Sequence, residues 1–130
     1  DYGHSRLIRI DPVRNRVEKH ISLPKADWIS ASADALWVSS ETGKIYKVDP
    51  VSMAVLATVT VGANPLATTW VGSNLWVPNI DDNTVSVIDP ATSTVVRTLA
   101  VGQSPLAVAS AAGSAWVTSD FEGDLWRLDP

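Results

Sequence analysis

Acidic and amide side chains crowd a few short stretches of this 130-residue chain: Asp27 beside Trp28, Asn79 with Asp81, Asp82 and Asn83, and Asp120 with Glu122. Hard oxygen donors of this kind suit a divalent cation or a polyhydroxyl ligand. No stretch has the spacing of an EF-hand loop, a Gly-rich phosphate loop, HExxH or GxSxG. Serines and threonines are plentiful, but neither histidine is placed to activate one. His4 lies near the start, and His20 sits among Arg14, Arg16, Glu18 and Lys19. The absence of cysteine excludes disulfides, thiol nucleophiles and cysteine-ligated metals.

One acid recurs. Asp11, Asp49, Asp89 and Asp129 each precede a proline, in "SRLIRIDP", "GKIYKVDP", "NTVSVIDP" and "GDLWRLDP", with the prolines 38, 40 and 40 residues apart. Proline fixes φ near about −65° and donates no N–H, and the aspartate before it can accept from a nearby backbone N–H in an Asx turn. An acid repeated in every unit reads as a chain corner, not as a catalyst.

The elements that hold these residues follow from the same period. "LWV" at 36–38, "LWV" at 75–77 and "AWV" at 115–117 keep the step, and "VGANPLA" at 61–67 returns as "VGQSPLA" at 101–107. A period near 40 made of short strands and turns points to a propeller or a similar array. "SPLAVAS" reads as a first strand and "AAGS" as a turn in which Gly113 takes positive φ. "AWVTS" is a second strand, "LWRLD" a third, and "TVVRTLAVG" a fourth, part-exposed strand of the preceding unit. No apolar segment of helical period with caps exceeds a couple of turns.

The stretch "PLATTWVGSNLWVPNIDDNTVSVIDPATSTVVRTLAVG" resembles the repeats of YVTN-type β-propellers, found in bacterial surface-associated and streptogramin-lyase-like proteins. The resemblance covers nearly all of residues 5–130. It implies an all-β chain of β-propeller blades, each a four-stranded antiparallel sheet, set radially around a channel. The chain then reads as a single propeller segment over residues 1–130. Third and fourth strands of a partial blade occupy 1–25, blades occupy 26–62 and 63–102, and three strands of a last blade occupy 103–130. That is thirteen strands in about three blades, so either further blades of a larger propeller flank the segment, or identical chains complete a ring. The first is favoured. In the second, residues 17–23 would lend a strand to a neighbour's last blade.

In such a propeller the loops entering each first strand and those between second and third strands share one face. That face carries Lys25, Asp27, Asn64 and Ser104 from one set, and Glu41, Asn79, Asp81, Asp82, Asn83, Asp120 and Glu122 from the other. Trp37, Trp76 and Trp116 share one position and are expected to pack between blades. Trp28 and Trp70, on inner strands, are the tryptophans expected to line a ligand surface. The candidate ligand-binding residues are Asp27, Trp28, Asn64, Trp70, Asn79, Asp81, Asp82, Ser104, Asp120 and Glu122; solvated turns rich in Asp, Asn and Gly account for the loop residues among them without a ligand.

Streptogramin lyases carry a "PHG"-like entry to a first strand, with a catalytic histidine and a nearby Mg²⁺. The matching positions here are Asp27, Leu66 and Leu106, and none can serve. The resemblance therefore implies a binding or scaffolding module with no catalytic residues, cofactor or metal of its own. The alternative is part of a lyase-like enzyme whose histidine and Mg²⁺ site lie outside the segment. Partners are then a protein or small-molecule ligand as well as the completing blades.

Charge and hydropathy narrow the classes further. Net charge is −4, yet residues 1–25 hold six of the ten Lys/Arg against three acids. This basic end could meet an anionic partner or be a solvated outer strand. The remaining residues carry four bases against eleven acids, which disfavours nucleic acid. No apolar run approaches the roughly 20 residues of a membrane span. The chain starts at Asp1 without Met, so a removed leader or a longer parent chain is expected; the resemblance implies an exported protein.

Overall fold

The computed structural model describes residues 2–121 and 123–130. One 3-10 turn spans Tyr2–His4, and thirteen strands follow: β1 (Arg6–Asp11), β2 (Arg16–Ser22), β3 (Ala26–Ala31), β4 (Leu36–Ser40), β5 (Lys44–Val48), β6 (Val55–Thr60), β7 (Thr69–Val71), β8 (Asn74–Asn79), β9 (Thr84–Asp89), β10 (Thr94–Ala100), β11 (Pro105–Ala111), β12 (Ser114–Ser119) and β13 (Leu125–Leu128). They form four antiparallel meanders, β1-β2, β3-β4-β5-β6, β7-β8-β9-β10 and β11-β12-β13. There is no α-helix among the described residues, and hence no helix long and apolar enough to cross a membrane.

The Asp-Pro segments are corners. Asp11 Oδ1 accepts the N–H groups of Val13 and Arg14, and Asp49 Oδ1 those of Val51 and Ser52. Asp89 Oδ1 accepts from Ala91. Asn15, Met53 and Ser93, four residues after each aspartate, take φ of 48°, 60° and 55°. A left-handed residue at that point turns the chain into the next strand. It also goes with a register shift at the same place in each sheet, just after the corner, where Glu18 of β2, Leu56 of β6 and Val96 of β10 are the residues left without a partner across the ladder. Met53 is an unusual residue for this conformation; its side chain is buried between the first two sheets.

Strand alternation sends one set of side chains to each face, and successive sheets bury those faces against each other. Leu7 and Leu23 of the first sheet pack on Val38 and Val48 of the second. Trp37, Ile45 and Val59 of the second pack on Leu75, Val77 and Ile88 of the third. Val71, Trp76 and Val87 of the third pack on Val108, Ala115 and Val117 of the fourth. Trp37 and Trp76 thus fill consecutive interfaces, and Trp116, at the same position, lies half-buried on the far face of the last sheet. First strands also meet edge to edge: Ser30 Oγ donates to Thr68 O at 2.8 Å, and Ala67 bridges Ala107. The shortest of them, β7, pairs only with residues 74–76; before it in the chain, Leu66 N donates to Pro78 O and Pro65 bridges Asn79.

Candidate functional site

The loops at one end of the sheets are built alike. At the entry to each sheet stands a residue of positive φ, Lys25 (47°), Asn64 (52°) and Ser104 (55°). Its carbonyl accepts the N–H of the first residue past the second strand: Glu41 at 3.2 Å, Ile80 at 3.1 Å and Asp120 at 3.1 Å. A second set of bonds joins the third-strand turn to the chain entering the next sheet, from Val61 N to Gly43 O and from Val101 N to Asn83 O. Backbone pairing therefore fixes the loop bases, and side chains vary above them.

The predicted loop residues divide into two groups. Asp27, Asp81, Asp82 and Asp120 are exposed, while Asn64 and Ser104 are half-buried at the loop bases. Asp82 Oδ2 accepts from Ala63 N at 2.8 Å, and Asn64 Nδ2 reaches Asp81 Oδ1 at 3.5 Å. Ser104 N donates to Asn83 Oδ1, and Lys25 pairs with Glu41 at 3.4 Å. Glu122 lies outside the described residues.

Two expectations change. Asn79 is not on the surface: it is fully buried, and its amide donates to Thr84 Oγ1 and Ser86 Oγ while its oxygen accepts from Gly62 N. A Cβ at Gly62 would lie 2.7 Å from Asn79 Cβ and 2.6 Å from Asp82 Oδ2, so the loop closes onto Asn79 only with glycine there. Trp70, expected to line a ligand surface, is half-buried. It packs edge-on against Trp37, centroids 6.2 Å apart at 80°, with its Nε1 buried. Sequence reasoning put Trp70 on an inner strand, but β7's pleat turns it between sheets. Trp28 remains 47% exposed beside Asp27.

No three acidic or histidine side chains converge among the described residues. Three grooves divide the exposed acids instead of uniting them. Asp27 borders one of about 330 Å³, with Arg6, Ile8 and Ile29. Asp82 borders one of about 520 Å³, with Thr60, Thr84 and Thr98, and Asp120 one of about 410 Å³, with Leu106 and Leu125. The arrangement offers separate hydrogen-bond acceptors on a rigid base, suited to recognition over an extended surface.

Neither a protein-family model nor a curated protein matches the chain. Solved structures do. The dihydro-heme d1 dehydrogenase NirN, solved in complex with DHE, is 21% identical over 99% of this chain, with a TM-score of 0.81. A chain of the mitotic checkpoint complex is 16% identical over 95%, with a TM-score of 0.82. Hydrazine synthase of Kuenenia stuttgartiensis is 25% identical over 72%, with a TM-score of 0.65. These neighbours are β-propeller proteins, and the present chain is an array of β-propeller blades. It spans 31%, 43% and 28% of their respective lengths.

Proposed function

We propose that the chain is a binding or scaffolding module of a β-propeller, recognising a protein or small molecule through the loop surface that carries Asp27, Trp28, Asp81, Asp82 and Asp120. The observation that carries this reading is the repeated loop base. Lys25, Asn64 and Ser104 make the same backbone bond in three successive sheets, yet the residues above them differ in each. A rigid base with variable tips is what recognition by loops requires. The repeat's resemblance to YVTN-type propellers agrees with such a role, and further blades of the same repeat complete the surface.

Probing peptide and glycan arrays with the purified chain tests the reading. A variant carrying Asp27→Ala, Trp28→Ala, Asp81→Ala and Asp120→Ala loses the bound features. A control with Val51→Ser and Thr92→Ala, at the opposite Asp-Pro corners, keeps them. Signals that survive the loop substitutions, or arrays that stay blank, defeat the proposal.

A further inference from the structure

One interface between sheets departs from the repeat. Aligned on their Asp-Pro corners, "KIYKVDP", "TVSVIDP" and "DLWRLDP" place Lys44, Thr84 and Asp124 at one position and Tyr46, Ser86 and Trp126 at another. Before them, Ser40 and Ser119 end the second strand where the third sheet has Asn79. The third sheet thus puts a serine where its neighbours put a tyrosine and a tryptophan. Pairing of β9 with β10 sets Thr98 beside Ser86. A groove of about 520 Å³ opens here against the second sheet, bordered by Gly62, Asp82, Thr84, Ser86, Val95 and Thr98. Both walls belong to complete four-stranded sheets, so the groove does not arise from where the array starts or stops.

The hydroxyls in the groove are set as donors. The Asn79 amide gives its two N–H groups to Thr84 Oγ1 at 3.0 Å and Ser86 Oγ at 2.9 Å. A hydroxyl that accepts from an amide turns its own proton elsewhere. Neither proton meets an acceptor among the described residues. Ser86 is 2% exposed, so bulk water does not offset the cost of leaving its proton unpaired. Asp82 supplies the complementary group: its Oδ2 accepts from Ala63 N, and its Oδ1 is open to the groove. Thr98 is exposed and carries a hydroxyl that donates or accepts, and Val95 gives an apolar wall. The walls are held in place across the interface. Trp37 packs with Leu75 and Ile88 there, and Lys47 donates to Pro90 O at 3.0 Å.

We propose that this groove binds a neutral polyhydroxyl ligand the size of one hexopyranose ring. Sugar oxygens accept from Ser86 and Thr84, a sugar hydroxyl donates to Asp82 Oδ1, and a C–H face of the ring lies on Val95. Among the described residues no lysine or arginine borders the groove, and Asp82 is anionic. Charge therefore selects against carboxylates and phosphates, the other ligands rich in acceptors. A single ring in an open groove binds with a Kd of about 1 mM, too weakly to survive the washing of an array. Of the groove residues only Asp82 belongs to the loop surface described above, so this site stands or falls separately from that role.

Proton–nitrogen correlation NMR of the isotope-labelled chain, titrated with the methyl glycosides of glucose, mannose and galactose, tests this. At least one of the three is expected to shift the Gly62, Thr84, Ser86 and Thr98 amides saturably, with a Kd of about 1 mM. Sodium acetate at matched concentration leaves those amides in place. Ser86→Ala and Thr98→Val each weaken sugar binding roughly tenfold. Ser86→Ala also strips an acceptor from Asn79; if it melts early, Thr98→Val, an exposed change of equal size, carries the test alone. The loop variant with Asp27, Trp28, Asp81 and Asp120 replaced binds the sugar as the wild type does. Spectra that no sugar shifts saturably overturn the proposal. So does a folded groove variant that binds like the wild type, a loop variant that loses the sugar, or acetate that shifts the same amides as strongly.

Discussion

At Asp49 a single carboxylate oxygen accepts from Val51 N at 3.0 Å, Ser52 N at 2.6 Å and Ser52 Oγ at 2.9 Å. The Ser52 backbone N–H, and next its hydroxyl, hold this carboxyl below the ordinary carboxylate range. At Asp11 the Arg14 guanidinium is the main cause of the same shift. A carboxyl lowered in the folded chain contributes stability that is fully present above its unfolded value of about 3.9 and is lost as pH falls through the folded one. Asp49→Ala is therefore expected to melt below the wild type at neutral pH, with the gap narrowing as pH drops below about 3.9. Circular dichroism melts across that range check the sign. This role was legible in the sequence because the residue recurs beside proline. The burial of Asn79 was not, because an asparagine before Asp81 and Asp82 looks the same whether it faces water or the underside of Gly62.

At the scale of elements, the second and third sheets are joined by Trp37, with Trp70 edge-on and Lys47 above the ring. In an array whose units touch only neighbours, stability is close to a sum of unit and interface contributions. Trp37→Ala is expected to cost about 3–5 kcal/mol by opening a cavity in that interface. Lys47→Ala, which removes a half-exposed latch to Pro90 O and a cation–π contact, costs about 1 kcal/mol. Denaturant unfolding of the two variants measures the difference; equal costs would show that the latch, not the packed ring, sets the coupling. The strands were readable from alternation and turn residues, to within a residue or two at most ends. β10 ends at Ala100 where the sequence suggested Gly102, because its partner β9 begins at Thr84; one further bond, from Val101 N to Asn83 O, closes the pairing.

Over the whole molecule, protection runs from the middle outward. The two complete sheets are covered on both faces, while β2 and β13 are nearly all exposed. Amide hydrogen exchange is expected to be slowest in β4, β8 and β9 and fastest in β2 and β13, the order that a linear array of blades gives. Uniform protection from one end to the other would contradict it, and so would a most-protected terminal sheet.

The residues alone settled the number of strands, the corners between them and the all-β class. Those depend on φ preferences, hydrogen bonds two or three positions away and the two-residue alternation of a pleat. Which faces of the strands are covered, why Trp70 serves the interior while Trp28 meets solvent, and why Asn79 is a pin and Asp81 a surface acid were decided only by the tertiary structure. Each of those answers is set by neighbours from another strand or sheet, such as Gly62 beneath Asn79 and Trp37 against Trp70, whose approach no short-range pattern encodes.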